Sequence, residues 1–218
     1  GSTVTKIGDC VFEKSKLLNE FTIGTNVDTI GDNPFIQCLA LNSLTIEKGN
    51  DKFIFDDGIL FDINKVRMIS YLITNKKTSY EIPNTVKEIG NYCFHTISHM
   101  KTLTIGEKVE TVNYGLYSLV DLTEYKVAQG NSNFITEEGI LYTPNKERLV
   151  RYPEAKDKNG YIVPYEIKQI GPYAFAFVSK LRSINFLKNN PTIHEYAFRS
   201  VTGVQRIDVF DARTRGEN

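Results

Sequence analysis

Two histidines, three cysteines and two acidic pairs are the residues of this sequence whose types could do chemistry. His95 and His99 stand at i and i+4. On a helix that spacing would turn both toward one metal ion. No second Cys/His pair or Glu-rich stretch stands nearby to complete the ligand set, so a solvated turn is the better reading. His194 falls at a turn position and is given no role. Asp56-Asp57 and Glu137-Glu138 could suggest calcium binding or acid/base work. A calcium loop, however, alternates oxygen ligands over about a dozen residues, and a glycosidase needs two carboxylates converging in one cleft. These pairs recur far apart, and each is followed by Gly (Gly58 and Gly139), which predicts hairpin turns. Cys10, Cys38 and Cys93 are odd in number and lack metal-type spacing. A reactive thiol would need a neighbouring His or a helix N-terminus. Packing as small hydrophobes explains them better. Nucleophile-elbow, phosphate-loop and dinucleotide motifs are absent. The residues therefore predict no catalytic group, no metal and no cofactor. A hydrolase using the insert carboxylates is the least favoured reading.

The elements that carry these residues are repeats. A first half reads Ile-Gly-x-x-Ala-Phe in its best copies. It occurs as Ile7–Phe12, Ile30–Phe35, Ile89–Phe94, Val112–Tyr117, Ile170–Phe175 and Ile193–Phe198. A second half, Leu-x-x-Leu-x-Ile, follows each time and ends at Ile23, Ile46, Ile105, Val127, Phe186 and Val209. Ile7 and Ile30, Ile89 and Val112, and Ile170 and Ile193 stand 23 residues apart. Apolar residues at i and i+2 mark a strand with one buried face. A longer period overlies the short one: Asn50 and Asn131, Gly58 and Gly139, Leu60 and Leu141, and Tyr71 and Tyr152 are offset by 81. Two short repeats plus one insert make a super-unit. The inserts, 53–61 and 134–142, read as strand, acidic turn, strand, and continue into a third apolar stretch. They predict a hairpin elaboration that still stacks in the array. The layout is one domain over 4–210, in super-units 4–85, 86–166 and 167–210, followed by a polar tail at 211–218.

Cys93 takes the small position held by Ala174 and Ala197, and Cys38 the slot of Ile97, Val178 and Val201. Cys10 aligns with Tyr92 and Tyr173 and should be more exposed. Most aromatic residues fall on repeat positions and read as core. Lysine plus arginine and aspartate plus glutamate both number 26 among 218 residues. That balance leaves no electrostatic footprint for nucleic acid. The longest apolar runs are far too short to span a bilayer. Ile, Phe and Tyr favour pleated surfaces, which predicts a mainly β chain with short helices or turns. Neither end shows a polar capping repeat, so a fragment of a longer array, or ends covered by something else, is expected.

The paired motif, with Asp-Gly-Ile-Leu-Phe (57–61), Tyr152-Pro153 and Ile82-Pro83, resembles the BspA-like leucine-rich repeat family over about residues 4 to 210. Val112-Asn113 and Ile193-His194 depart from it by lacking the Gly, and Leu72 by replacing the Pro of Tyr-Pro. The resemblance implies a right-handed leucine-rich repeat solenoid, here of six repeats with two β-hairpin inserts, and a strand-lined concave face. It also implies a secreted or cell-surface, non-catalytic binding or adhesion protein whose partner is a protein or glycan. A structural spacer within a longer surface protein is the alternative. The residues left to act are those the repeat does not dictate. They lie on the outward side of the Leu-x-Ile strands: Thr22, Thr45, Thr104, Glu124, Lys126, Asn185, Arg206 and Asp208.

Overall fold

The computed structural model describes residues 3–186 and 190–209; the tail at 211–218 lies outside them. The short repeats stack as coils whose strands pair in parallel. Glu20–Ile23 lies beside Ser43–Ile46 with Phe21 opposite Leu44. Thr102–Ile105 lies beside Glu124–Val127 with Leu103 opposite Tyr125. Ser183–Phe186 lies beside Arg206–Val209 with Ile184 opposite Ile207. Lys6–Ile7 pairs with Thr29–Ile30 on a second face, and Gln169–Ile170 with Thr192–Ile193. Parallel neighbours require a full coil of chain between them, and the repeat supplies that length.

The inserts do more than decorate this stack, for each is a complete coil. Phe53–Asp56, Ile59–Asp62 and Arg67–Tyr71 form an antiparallel meander, and the last strand pairs in parallel with Glu88–Ile89. Downstream, Ser79–Glu81 joins the Thr102–Ile105 strand. The second insert repeats the plan with Ile135–Glu137, Ile140–Tyr142 and Arg148–Arg151, and Gly160–Ile162 joins Ser183–Phe186. Asp57 and Gly58 have φ of 53° and 80°, and Glu138 and Gly139 have 49° and 75°. Two consecutive positive φ values make the two-residue turn whose twist suits a hairpin. The acidic pairs are therefore turn residues.

Ile59–Phe61 and Ile140–Tyr142 are buried at every position. Continuous apolar runs are what a strand with both faces covered requires. Side chains alternate between two cores. Ile59, Phe61 and Met68 pack with Phe94, Leu103 and Leu122, whereas Leu60 and Ile69 pack with Phe35, Leu41 and Leu44. Leu141 likewise serves the central core, and Ile140, Tyr142 and Leu149 the last. The inserts thus act as plates between super-units.

Two expectations need correction. The short helices are turns throughout, and no helix occurs among the described residues. Val112-Asn113 is no simple loss of glycine. Phe12 N donates to the Pro34 carbonyl, and Phe94 N to that of Gly115. Gly115 therefore matches Pro34, and Leu116, fully buried, takes the Phe35 slot that the sequence pattern assigned to Tyr117. The fifth coil is one residue short at this turn, which releases Tyr117 from the core.

Candidate binding surfaces

The strand face is real but divided. Thr22 stands opposite Thr45, Thr104 opposite Lys126, and Asn185 opposite Asp208. Thr22, Thr45, Lys126 and Arg206 are exposed, and Thr104, Glu124, Asn185 and Asp208 half-buried. The six strands do not form one row. With the two strands added downstream of the inserts they form separate sheets of two, three and three strands. Insert hairpins interrupt the ladder: Tyr125 N donates to the Gly139 carbonyl at 2.8 Å, and Phe53–Asp56 lies against Ser43–Ile46. Charges on the face are balanced within strands. Lys126 Nζ meets Glu124 Oε1 at 3.2 Å, and Arg206 Nε meets Asp208 Oδ1 at 2.8 Å. Thr102 Oγ1 also donates to Glu124 at 3.1 Å. The Lys126 ammonium, first among these partners, holds the Glu124 carboxyl below the usual carboxylate range.

The chemically suggestive residues resolve into structure. Asp56 pairs with Lys65 at 2.5 Å and Asp57 with Lys77; Glu137 pairs with Lys146 and Glu138 with Lys158. Each carboxylate thus meets a lysine within its own insert coil. His95 packs 5.2 Å from the Tyr117 ring, and burial lowers its pKa. His99 Nε2 lies 3.2 Å from the Asn75 carbonyl instead. Among the described residues no group of three His, Cys, Asp or Glu could hold a metal. Cys38 and Cys93 are buried free thiols, and Cys10 is half-buried.

One surface escaped the sequence pattern. In the last four repeats a tyrosine two places before Phe94, Leu116, Phe175 or Phe198 leaves the core and joins its counterparts. Tyr92 stacks on Tyr114 at 6.3 Å, Tyr114 meets Tyr173 edge-on at 5.2 Å, and Tyr173 stacks on Tyr196 at 5.2 Å. Tyr117 fits between, 4.8 Å from Tyr173. The ridge is a separate cluster from the three cores. Tyr92, Tyr173 and Tyr196 have φ of 59°, 56° and 56°, which turns their side chains out of the coil. The signal was present in the alignment of Cys10 with Tyr92 and Tyr173, but positive φ at a tyrosine cannot be inferred from residue type.

Stacked leucine-rich coils whose strands pair in parallel from coil to coil define a leucine-rich repeat solenoid. The chain matches the BspA type leucine rich repeat region, in 6 copies, over residues 1–72, 70–139 and 158–215. It belongs to that family. Its fold is similar to a leucine-rich repeat protein from Eubacterium ventriosum, at 25% identity and a TM-score of 0.62 over 95% of this chain and 54% of that one. A leucine rich cell surface protein from Faecalibacterium prausnitzii aligns at 21% identity and a TM-score of 0.53, over 94% of this chain and 65% of that one. The pneumococcal vaccine antigen PcpA aligns at 22% identity and a TM-score of 0.51, over 83% and 44%. The chain thus spans less than two thirds of each of these proteins. No curated protein matches it. No helix of the described residues is long and apolar enough to cross a membrane.

Proposed function

We propose that this chain is a non-catalytic binding segment of a secreted or cell-surface protein, and that its strand face meets a protein or glycan. The observation that carries the reading is the registered array itself. Thr, Glu, Lys, Asn, Arg and Asp side chains project from parallel strands whose other faces pack into the cores, except in the last strand, where Ile207 and Val209 are exposed. Extended solenoid faces of this kind serve as binding surfaces because each coil fixes its neighbour. Similarly folded chains named as a cell-surface protein and a vaccine antigen support the location. Charge reversal of Lys126 and Arg206 together is the test, read against panels of immobilised glycans and matrix proteins. Wild-type protein should be retained by at least one member, and the double variant should bind that member about tenfold more weakly. Equal retention of both would remove the strand face from the account.

A further inference from the structure

The two junctions between short repeats and inserts are built from the same positions and differ in charge. At the first, Arg67 reaches across. Its Nη2 donates to Asp32 Oδ1 at 2.6 Å, its Nε to Glu88 Oε1 at 3.2 Å, and its Nη1 to the Ile30 carbonyl at 3.3 Å. The guanidinium lies against Gly90, where a Cβ would stand 3.5 Å from Nε. Arg148 is its counterpart 81 residues on. It lies against Gly171 in the same manner, 3.0 Å from where a Cβ would be. Its acids are gone: Tyr114 stands where Asp32 stands, the two amides donating to the matching side chains Asn91 and Asp9 of the coil before, and Gln169 stands where Glu88 stands. The buried Arg148 Nε has no hydrogen-bond partner.

A second guanidinium joins it. Arg151 occupies the position of Ser70 and is only 4% exposed. Its Nη1 donates to the Pro172 carbonyl at 2.5 Å and its Nη2 to that of Asn113 at 3.4 Å, while its Nε too is buried without a partner. Both arginines line a groove of about 570 Å³, together with Asn113, Asn133 and Thr143. One carboxylate, Glu110, stands on its wall and is already paired with Lys87 at 3.0 Å. Among the described residues Arg148 has no acid beside it, and Arg151 has only the buried Glu154 carboxyl within electrostatic reach; planar carboxylates are the best-matched partners of such guanidinium groups because two N–H donors meet two oxygens.

We propose that this groove is a carboxylate-binding site, in which a ligand's acid replaces the internal acids of the first junction. The carboxylate comes either from a free small acid or from a uronic acid within a glycan. No strand-face residue lines the groove, so this site and the strand-face reading stand or fall separately.

The test is calorimetric titration of the whole chain with succinate, glucuronate, glucose and sulfate. Succinate or glucuronate should bind with half-saturation on the order of 1 mM, and glucose should not bind. Similar affinity for both acids assigns a free acid, whereas tighter glucuronate assigns the sugar. Arg148→Gln should weaken binding at least about tenfold. The double variant Tyr114→Asp/Gln169→Glu rebuilds the first junction's acids at their own positions. It should remain folded and lose binding to a similar degree. No binding of either acid, binding as tight for sulfate, or binding unchanged in the rebuilt double variant would overturn the proposal.

Discussion

The first and second inserts share a backbone plan and part company in what they bury. Where the first has Ser70 and Ile73, the second has Arg151 and Glu154. Ser70 Oγ donates to Asn33 Oδ1 at 2.7 Å, a neutral contact fully satisfied inside the coil. Arg151 and Glu154 are 4% and 5% exposed, and each leaves one side-chain atom, Nε and Oε2, without a partner. The first insert also closes its junction with Asp32, Arg67 and Glu88, and the second leaves its arginine unmatched. Shared positions thus report what the coil needs in order to pack, and divergent ones report where the second unit departs from packing. The apolar plates are held in common; the buried charges are not.

The largest expected effect lies in what the inserts share. Leu60→Ala and Leu141→Ala remove equivalent side chains that are 0% exposed. Each should cost about 2–5 kcal/mol, measured by denaturant unfolding. A much smaller cost at one of them would mean that its plate does not separate two cores. The next effect belongs to the second insert alone. Burial pushes the Glu154 carboxyl up to about 8 from an ordinary 4.5, against the opposing pull of the Leu119 and Ser118 amides and Arg151. Between those values the folded chain holds a proton that the unfolded chain has released. Stability should therefore fall as pH rises from about 4.5 to about 8 and change no further above it. Glu154→Gln should flatten that decline and raise the Tm at pH 8 by about 2–4 °C, with no gain at pH 4. An unchanged pH profile would show that Glu154 does not titrate in this window.

A smaller contrast separates the arginines. Arg67→Gln strands two carboxylates and should cost about 1 kcal/mol, whereas Arg148→Gln, with no ion pair to lose, should stay within about 0.5 kcal/mol. Equal costs in chemical denaturation would erase the distinction between the junctions. The smallest effect is expected at the hairpin tips. Asp57→Asn and Glu138→Gln break exposed lysine pairs and should each shift stability by less than about 1 kcal/mol.

Much of this fold was legible because its signals are local and repeated. Ile-Gly, Leu-x-x-Leu-x-Ile and the acidic-Gly turns each dictate one strand end, one buried stripe or one hairpin, and stacking follows from their recurrence. The buried places of Cys38 and Cys93 followed from the same register. Spacing alone could not reveal that Leu116 replaces Tyr117 in the core, because one deleted residue leaves both readings apolar. Nor could it show that the strand ladder is cut by the inserts, since that depends on where the Gly139 turn lands in space. The tyrosine ridge and the arginine groove were hidden for a related reason. Both are made by side chains from different coils, and the offset that joins Arg67 to Arg148 reveals a lost partner only once Asp32 and Glu88 are seen at the other end.

The most direct measurement of the difference between the two junctions is a proton–nitrogen spectrum of the arginine Nε–Hε groups, assigned for Arg67, Arg148 and Arg151, across a titration with glucuronate. The Arg148 and Arg151 signals should move together and saturate, while Arg67, already bound to Asp32 and Glu88, stays in place. Movement of Arg67 alongside them, or no movement at Arg148 and Arg151, would contradict it.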